Sequence, residues 1–495
     1  MRDSTDYKLM TQKRVLVIGS GLAAYGACVA LLKNKSIHVS VFDVGLQKAY
    51  PGQSNIPVPN SVDLDGSYYP YGINDHRWPV INHSSRMCSS HALGGYSKVY
   101  SGSILKPQDE DLVDWPIESK PSLDDYNAIA ENLRIWQITD EISEVFPCFP
   151  FQKARFTDKS TVLGRPRLAL GRQKGLDLPF DCAYEFMNWK EQGLIEYQND
   201  YYVTHMTRSN GQIRVGVVTP TGKIAVSFDQ VYIGAGCVNT TAIVDRSLYG
   251  NGTRQYSIKT ARSLLQLYLY LPLISYRKPK MESIKEIHNP DICRVFLEHR
   301  STATGGLWSH TQINNFNRTI LATIRRRLPP VLKELTLLIQ GLFRFSITVF
   351  HSNLGDDALL TSSIKASDAN DWLQEISILE KDSICSRKLA STTRSAIRSK
   401  FFRLRLIPVP FGQLLADVMR GNRLGGWHYG GTLARLDNPT EPVHLTPRGE
   451  LFGMKHVYVV DAAGFPSIPG STVALLTMAN AFRIAKTATS DLDPT

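Results

Sequence analysis

Apolar and polar positions are arranged along this chain in patterns that predict its elements one after another. Val15, Leu16, Val17 and Ile18 form an unbroken apolar run, the pattern of a parallel strand buried on both faces. The run opens on a turn of small residues, and a helix follows through Ala27, Val29, Ala30 and Leu31. A second strand, from His38 to Phe42, ends at Asp43. Residues 49 to 83 are rich in proline, glycine and asparagine without a sustained period, which predicts a long surface excursion. Ser122-Leu123-Asp124-Asp125 carries a helix-start signature for a helix through Ala128, Ile129 and Leu133. Little can be read between about 150 and 190. From Ile195 to Ala235 the pattern turns to strands, with a hairpin at Thr219 to Gly222.

Gln230 to Val244 repeats the opening logic, an apolar strand, a glycine turn and a helix. Between 251 and 417, LYLYLPLI, CRVFLEH and LWSHTQI predict strands, and Thr319 to Leu342 a largely helical stretch broken at Pro329-Pro330. His288, His299, His310 and His351 in this region read as ordinary surface or packed histidines. Near the end, HVYVVDAAGFP predicts a strand whose apolar run ends at Asp461. A last helix begins near Ser471-Thr472 and runs to Ala488. The whole reads as an α/β chain, long enough at 495 residues for two domains.

The chemistry gathers at the glycines. Gly19, Gly21 and Ala24 supply a GxGxxA turn between strand and helix. The first glycine lets the chain reverse, the second leaves room for a pyrophosphate, and the small third residue lets the helix pack closely. Asp43 stands where an acid accepts hydrogen bonds from an adenosine ribose. These residues define a dinucleotide site without separating FAD from NAD. Gly94-Gly95, followed by small and polar residues, suits a backbone passing close to a flat or anionic ligand. Gly234-Ala235-Gly236 gives a second close approach to the same cofactor, and His428 sits alone in a glycine-rich turn. The helix N-terminus near Ser471-Thr472, aimed at the pyrimidine edge of a flavin, would stabilise negative charge there.

Charge changes this picture modestly. The net charge of +11 is uneven, with clusters at Arg325 to Arg327 and from Arg387 to Arg405. Val331 to Phe350, between them, contains Lys333, Glu334 and Arg344 and so does not read as a transmembrane span. Its plain reading is a core helix flanked by solvated cations; the alternative is a basic, apolar surface for peripheral contact with anionic lipid or for a phosphorylated substrate. The seven scattered cysteines form no metal or CxxC spacing, and the first residues lack the apolar core of a signal peptide. A cytoplasmic protein with reduced thiols is expected, membrane-peripheral if the basic clusters bind lipid. No zinc module, RNA-binding signature or repeat argues for nucleic acid, and no metal ligands are assigned.

Four places together resemble the glucose-methanol-choline flavoprotein oxidoreductases: Gly19 to Asp43; Gly94-Gly95-Tyr96-Ser97 with Asp114-Trp115-Pro116; Gly234-Ala235-Gly236; and His428 to Thr432 with Asp461 to Arg483. The resemblance implies a discontinuous Rossmann-like FAD-binding domain carrying a second, sheet-based substrate-binding domain. The implied FAD segments are 12–149 with the excursion 49–83, 191–250, and 418–495 with the histidine. Residues 150–190 are then a substrate-domain or lid segment, and 251–417 the substrate domain. The wording of GGYSKVY and SIPGST with MANAFRIA is most similar to bacterial members of polysaccharide or secondary-metabolite loci.

Carried over, the resemblance gives Gly19, Gly21 and Ala24 to the pyrophosphate turn, Asp43 to the ribose, and Gly94, Gly95 and Ser97 to the loop crossing the flavin. Val203, Gly234, Ala235, Gly236, Asp461, Ala462, Ser471 and Thr472 are further cofactor contacts. His428 becomes the catalytic base. Thr472 stands where the family usually has a second histidine or asparagine, and a threonine can hydrogen-bond a substrate oxygen but is no base near neutral pH. Val99 occupies the position at which some relatives attach FAD covalently, so non-covalent FAD is expected. The implied reaction oxidises a small-molecule alcohol, such as a sugar or secondary-metabolite intermediate, to a carbonyl. The electron acceptor is left open among oxygen, a quinone and others. A lyase with structural FAD and a non-catalytic, membrane-docking flavoprotein are the alternatives.

Overall fold

The computed structural model describes residues 12–46, 80–82, 90–133 except 99 and 101, 160–250 except 165, 166, 174 and 175, strands and a helical stretch between 253 and 408, and 428–490. In chain order, β1 (Lys13–Ile18), α1 (Leu22–Leu31) and β2 (Ile37–Phe42) come first, then α2 (Leu123–Asn132) and α3 (Cys182–Glu191). Strands β3 (Glu196–Gln198), β4 (Tyr202–Ser209), β5 (Gln212–Thr219), β6 (Gly222–Phe228) and β7 (Gln230–Ile233) lead into α4 (Cys237–Tyr249). The next six are β8 (Thr253–Tyr270), β9 (Arg294–Arg300), β10 (Trp308–Asn315), β11 (Arg344–Asn353), β12 (Leu359–Ala366) and β13 (Gln374–Glu380). The chain closes with β14 (His428–Gly430), β15 (Val457–Val459) and α5 (Ala474–Thr489).

A five-stranded sheet in the order β15-β7-β1-β2-β3, all neighbours parallel, forms one half. Val15, Leu16 and Val17 have no solvent exposure. Each such burial stabilises by about 1.5–3 kcal/mol, which is why the run is apolar on both faces. On one side α1 lies under α5, and on the other β4, β5 and β6 form an antiparallel sheet with the predicted turn between Thr219 and Gly222. The predicted cap of α2 is a full capping box, Ser122 and Asp125 exchanging side-chain and backbone bonds, and Lys486 of α5 reaches the same Asp125 at 3.2 Å.

The second half is an antiparallel-rich sheet in the order Val80–Asn82, β13, β12, β8, β11, β10, β9, Thr161–Gly164. Its long strand β8 also takes β14 on its edge, pairing Ala261 with His428.

Three expectations change. The end of the excursion, Val80–Asn82, pairs with β13 and so belongs to the large sheet rather than to a surface loop. The apolar run from Val331 to Phe350 is not a single core helix, since from Arg344 onward it is β11, between β8 and β10. The β-branched, aromatic sequence RFSITVF prefers a pleated, half-buried setting. The last helix starts at Ala474, with Val473 at its N-cap, so Ser471 and Thr472 lie in the approach to it. The helical prediction over 319–342, Val99 and Arg325 to Arg327 lie outside the described residues, as does most of the second basic cluster. Of that cluster, Arg398 and Lys400 lie in a helical stretch over 395–402.

Candidate active site

Three glycine turns converge beside β1. Gly19 has φ +98°, and a Cβ there would lie 2.7 Å from the Gly234 carbonyl oxygen, so the first turn needs glycine both to reverse and to pack on the second. Ala24, fully buried, backs on to Gly234, and Gly95 lies against Gly21. Ser20 ties the arrangement together by accepting the Gly94 N–H at 2.8 Å and donating to Asp43. Ser97 donates to the Gly94 carbonyl at 2.5 Å and accepts the Cys182 N–H at 2.9 Å, anchoring the Gly94 loop to α3. No side chain caps α1 at Gly21, so the N–H groups of its first turn have no side-chain acceptor among the described residues.

Asp43 is buried and takes a second bond from the Tyr197 hydroxyl at 3.0 Å. Burial pushes its carboxyl up to about 6, against the pull of these donors. Val203 lies further off, buried on β4 with Met206, Ile213 and Val215; the start of that strand is fixed to Asp43 by the Tyr201 N–H. The nearby thiols of Cys28, Cys182 and Cys237 are free, buried and raised by that burial.

Asp461 joins the middle and the end of the chain. It accepts the Gly236 N–H at 2.8 Å and the Thr240 hydroxyl at the start of α4, and with its other oxygen the Ala463 N–H at 2.9 Å. Burial raises it to about 6. The Pro466 to Gly470 loop that follows is fixed from three sides. Lys259 donates to the Pro466 carbonyl at 2.6 Å, Trp115 to Ser467 Oγ at 3.0 Å, and Ser467 in turn to the Asp111 carbonyl at 2.8 Å. This loop delivers Ser471 and Thr472, which are buried with hydroxyls that have no hydrogen-bond partner among the described residues. α5 has no side-chain cap and no acid in its first turn. Two buried hydroxyls and an open helix N-terminus form a donor-rich edge for a ligand that carries negative charge or carbonyl oxygens.

His428 faces this edge. Its strand is held by β8 on one side and, through Gly431 and Leu433, by the main chain of Ala462 and Ala463 on the other. His428 is half-buried as a residue, with its ring Nδ1 fully buried. Burial lowers it to about 4; His310 pushes the same way, and a hydrogen bond with the Ser471 main chain opposes both. A bond that favours the protonated ring is one the ring donates. The neutral imidazole therefore gives its N–H to Ser471 and keeps a lone pair on the other nitrogen. Next to it, the hydroxyls of Tyr429 and Tyr96 are 3.3 Å apart, bridging the histidine strand and the Gly94 loop.

The sequence did not single out a buried group on the large sheet. His310 on β10 has Nδ1 3.1 Å from Glu298 Oε1 on β9, and Gln108 donates to the other Glu298 oxygen at 2.7 Å. Asp111, close by, is pushed up to about 7 by burial and by the like charge of Glu298. The available signal was position: Glu298 and His310 are ionisable residues inside the strand-like stretches CRVFLEH and LWSHTQI rather than in the turns between them. Among the described residues no group of His, Cys, Asp and Glu is arranged to hold a metal ion, and no helix is long and apolar enough to cross a membrane.

Neither protein-family models nor curated proteins match this sequence. Solved structures do match the fold. Pyridoxine 4-oxidase from Mesorbium loti aligns with a TM-score of 0.57 and 12% identity, over 97% of this chain and 99% of that one. A FAD-dependent oxidoreductase from Chaetomium thermophilum gives 0.59 and 13%, over 97% and 100%. Formate oxidase from Aspergillus oryzae gives 0.63 and 12%, over 98% and 99%. What is shared at these identities is architecture: a discontinuous, Rossmann-like dinucleotide-binding fold carrying a second, sheet-based half.

Proposed function

We propose that this chain is a flavoenzyme of the glucose-methanol-choline type that binds FAD non-covalently and oxidises an alcohol CH–OH group to a carbonyl. The observation that carries the reading is the meeting of His428 with the donor edge at Ser471 and Thr472, in a chain whose other end builds the dinucleotide turns. The residues present fit FAD. The uncapped start of α1 at Gly21 suits its pyrophosphate, and Asp43 its ribose. The unpartnered hydroxyls of Ser471 and Thr472, with the open start of α5, suit the oxygen-rich edge of its ring. Bound FAD supplies the two-electron acceptor.

The chain supplies the rest. His428, neutral above about pH 4, accepts the substrate's hydroxyl proton at the nitrogen not bonded to Ser471. Such a positioned base contributes ~10² to 10⁴ in rate. Ser471 fixes the ring's orientation, and Thr472 offers a hydroxyl to the substrate oxygen. The buried surroundings exclude bulk water and strengthen each of these interactions. The likeness of fold to three oxidoreductases supports the reaction class, and neither the sequence nor the structure favours one electron acceptor.

The test follows the visible absorbance of purified, FAD-loaded protein under anaerobic conditions while sugars, sugar alcohols, nucleotide sugars and lipid alcohols are added. Bleaching by one class establishes the reaction and its substrate class. Consumption of a compound without bleaching turns the reading toward the lyase, and failure to bind flavin overturns it. Acid precipitation should release all the yellow colour into the supernatant; colour retained on the precipitate would refute non-covalent binding.

A further inference from the structure

The loop that delivers Ser471 and Thr472 is tied to the large sheet as well as to the rest of the protein, and Lys259 makes that tie. On β8, Lys259 pairs with Gly430 and Ala261 with His428, so positions 259 and 428 lie on one face of the sheet. From that face the Lys259 ammonium donates to the Pro466 carbonyl at 2.6 Å. Its stem crosses bare backbone on the way. A Cβ at Gly431 would lie 3.0 Å from Lys259 Cδ and 3.1 Å from its Cγ, at a φ of +70° that itself favours glycine. A Cβ at Gly430 would lie 2.9 Å from Ile468 Cδ1, so the loop packs directly on the histidine strand. The bonds of Ser467 to Trp115 and Asp111 hold the same loop to the 108–116 turn instead.

An ammonium on a carbonyl is a charge-assisted bond, stronger than a neutral one. Pro466 and Pro469 each fix one backbone dihedral, so a shift at the Pro466 carbonyl is passed on toward Ser471 rather than absorbed between them. Lys259 is half-buried, and Ser257 and Gln255 are exposed further along the same face, so water can take over the carbonyl if the ammonium is removed. The chain then keeps its fold and loses the spacing. We propose that Lys259 is a positioning residue: through Pro466 it sets the distance between His428 on β14 and the Ser471–Thr472 edge, the gap in which the substrate's hydroxyl is held. The proposal rests on the reading of His428 and Thr472 as the groups that handle that hydroxyl. Misplacing reacting groups by about 1 Å can slow a reaction by about 10²-fold, so a bond that touches no substrate can still govern the rate.

The experiment replaces Lys259 with Met, which keeps the stem over Gly431 and removes the ammonium, and with Arg, which keeps a charged donor for the carbonyl. Hydrogen exchange of the apoprotein, read by mass spectrometry on the peptide from Phe465 to Val473, should be about tenfold faster in Lys259→Met and return toward the parent's value in Lys259→Arg. With the alcohol that bleaches the parent's flavin, the limiting rate of anaerobic reduction should fall about tenfold in Lys259→Met, and the half-saturating concentration should stay within about twofold. Met packs as the lysine stem does, so a role in packing alone leaves loop exchange and reduction rate unchanged, and that result would overturn the proposal. Faster loop exchange with an unchanged reduction rate would overturn it too, since the order of the loop would then not reach the chemistry. Lys259→Gln, shorter and uncharged, gives the same readings should the Met variant not fold. The exchange measurement needs no turnover. If the loop loosens in Lys259→Met but no alcohol bleaches the parent's flavin, the tie from Lys259 stands and the proposed reaction fails.

Discussion

Replacing Gly26 with alanine adds one methyl group to α1, and in an ordinary helix that change stabilises by about 1 kcal/mol. Here the opposite is expected. A Cβ at position 26 would lie 2.2 Å from the Met478 carbonyl oxygen and 2.8 Å from its Cα, both backbone atoms of α5. Neither can swing aside as a side chain would. To reach an ordinary contact distance the two helices must part by about 1 Å, and along the seam Ala23, Ala27 and Ala30 then lose part of their contact with α5. Overpacking of this kind costs about 1–3 kcal/mol, so after the propensity gain a net loss of about 1–2 kcal/mol remains. Function should fall with it, because α1 and α5 start at the two ends of the proposed flavin site. Urea unfolding of the apoprotein by circular dichroism measures the loss, and fluorescence titration with FAD should show weaker binding. A Gly26→Ala protein that is as stable as the parent or more so, with unchanged FAD affinity, would refute the packing argument.

Other expectations follow from the site. Asp111, at about 7 in the folded chain against 3.8 unfolded, contributes stability below pH 4 that is lost as pH rises through 7, at a cost of about 4 kcal/mol. Asp111→Asn should therefore gain on the parent between pH 4 and 7 and hold a constant lead above; a pH-independent difference in unfolding free energy would count against this. His428 works in the reverse sense. Its stabilising neutral form is intact above pH 6.5 and lost as pH falls through about 4, so flavin reduction should keep its full rate down to about pH 5 and fail below, and a limb at pH 6.5 would contradict the burial argument. His428→Ala should retain FAD and lose substrate-driven reduction, read by anaerobic stopped flow; normal reduction would remove His428 from the mechanism. Ser471→Ala removes a buried hydroxyl that has no partner among the described residues, so apoprotein stability should hold or rise while FAD binding weakens about tenfold; equal FAD affinity would mean the hydroxyl does not face the cofactor.

Local chemistry made part of this fold readable from its residues. The Ser122 cap and the Thr219 to Gly222 hairpin rest on interactions within a few residues, the GxGxxA turn is marked by its own spacing, and each stands where the pattern put it. Readability ended where an element is decided by what covers it. α3 had no clear pattern because its Trp189, with Phe180 just ahead of the helix, is taken up by packing on Tyr25 of α1, an aromatic contact that belongs to the fold and not to the helix. An apolar run such as Val331 to Phe350 does not distinguish helix from strand by composition alone, and neighbours on both sides decided for β11. For the site, His428 and the glycines were legible through spacing. His310 was not, because its meaning depends on Glu298, which lies on a different strand and becomes a partner only once the register of β9 and β10 is set.

The seam between α1 and α5 also fixes when the protein can fold. β1 can pair with β2 almost as soon as both are made, but its other neighbour, β7, arrives only after more than two hundred residues. The helix that covers Gly26, α5, is the last of the described elements. During synthesis the first strand and helix must wait, apolar on faces that have no cover, while the entire large sheet emerges. Contacts this distant in sequence make for slow folding and long exposure to wrong partners. The chain is thus expected to lean on chaperones that shelter its opening segment. Loss of α5 would uncover the face of α1 at Gly26, because an element made late closes over one made early.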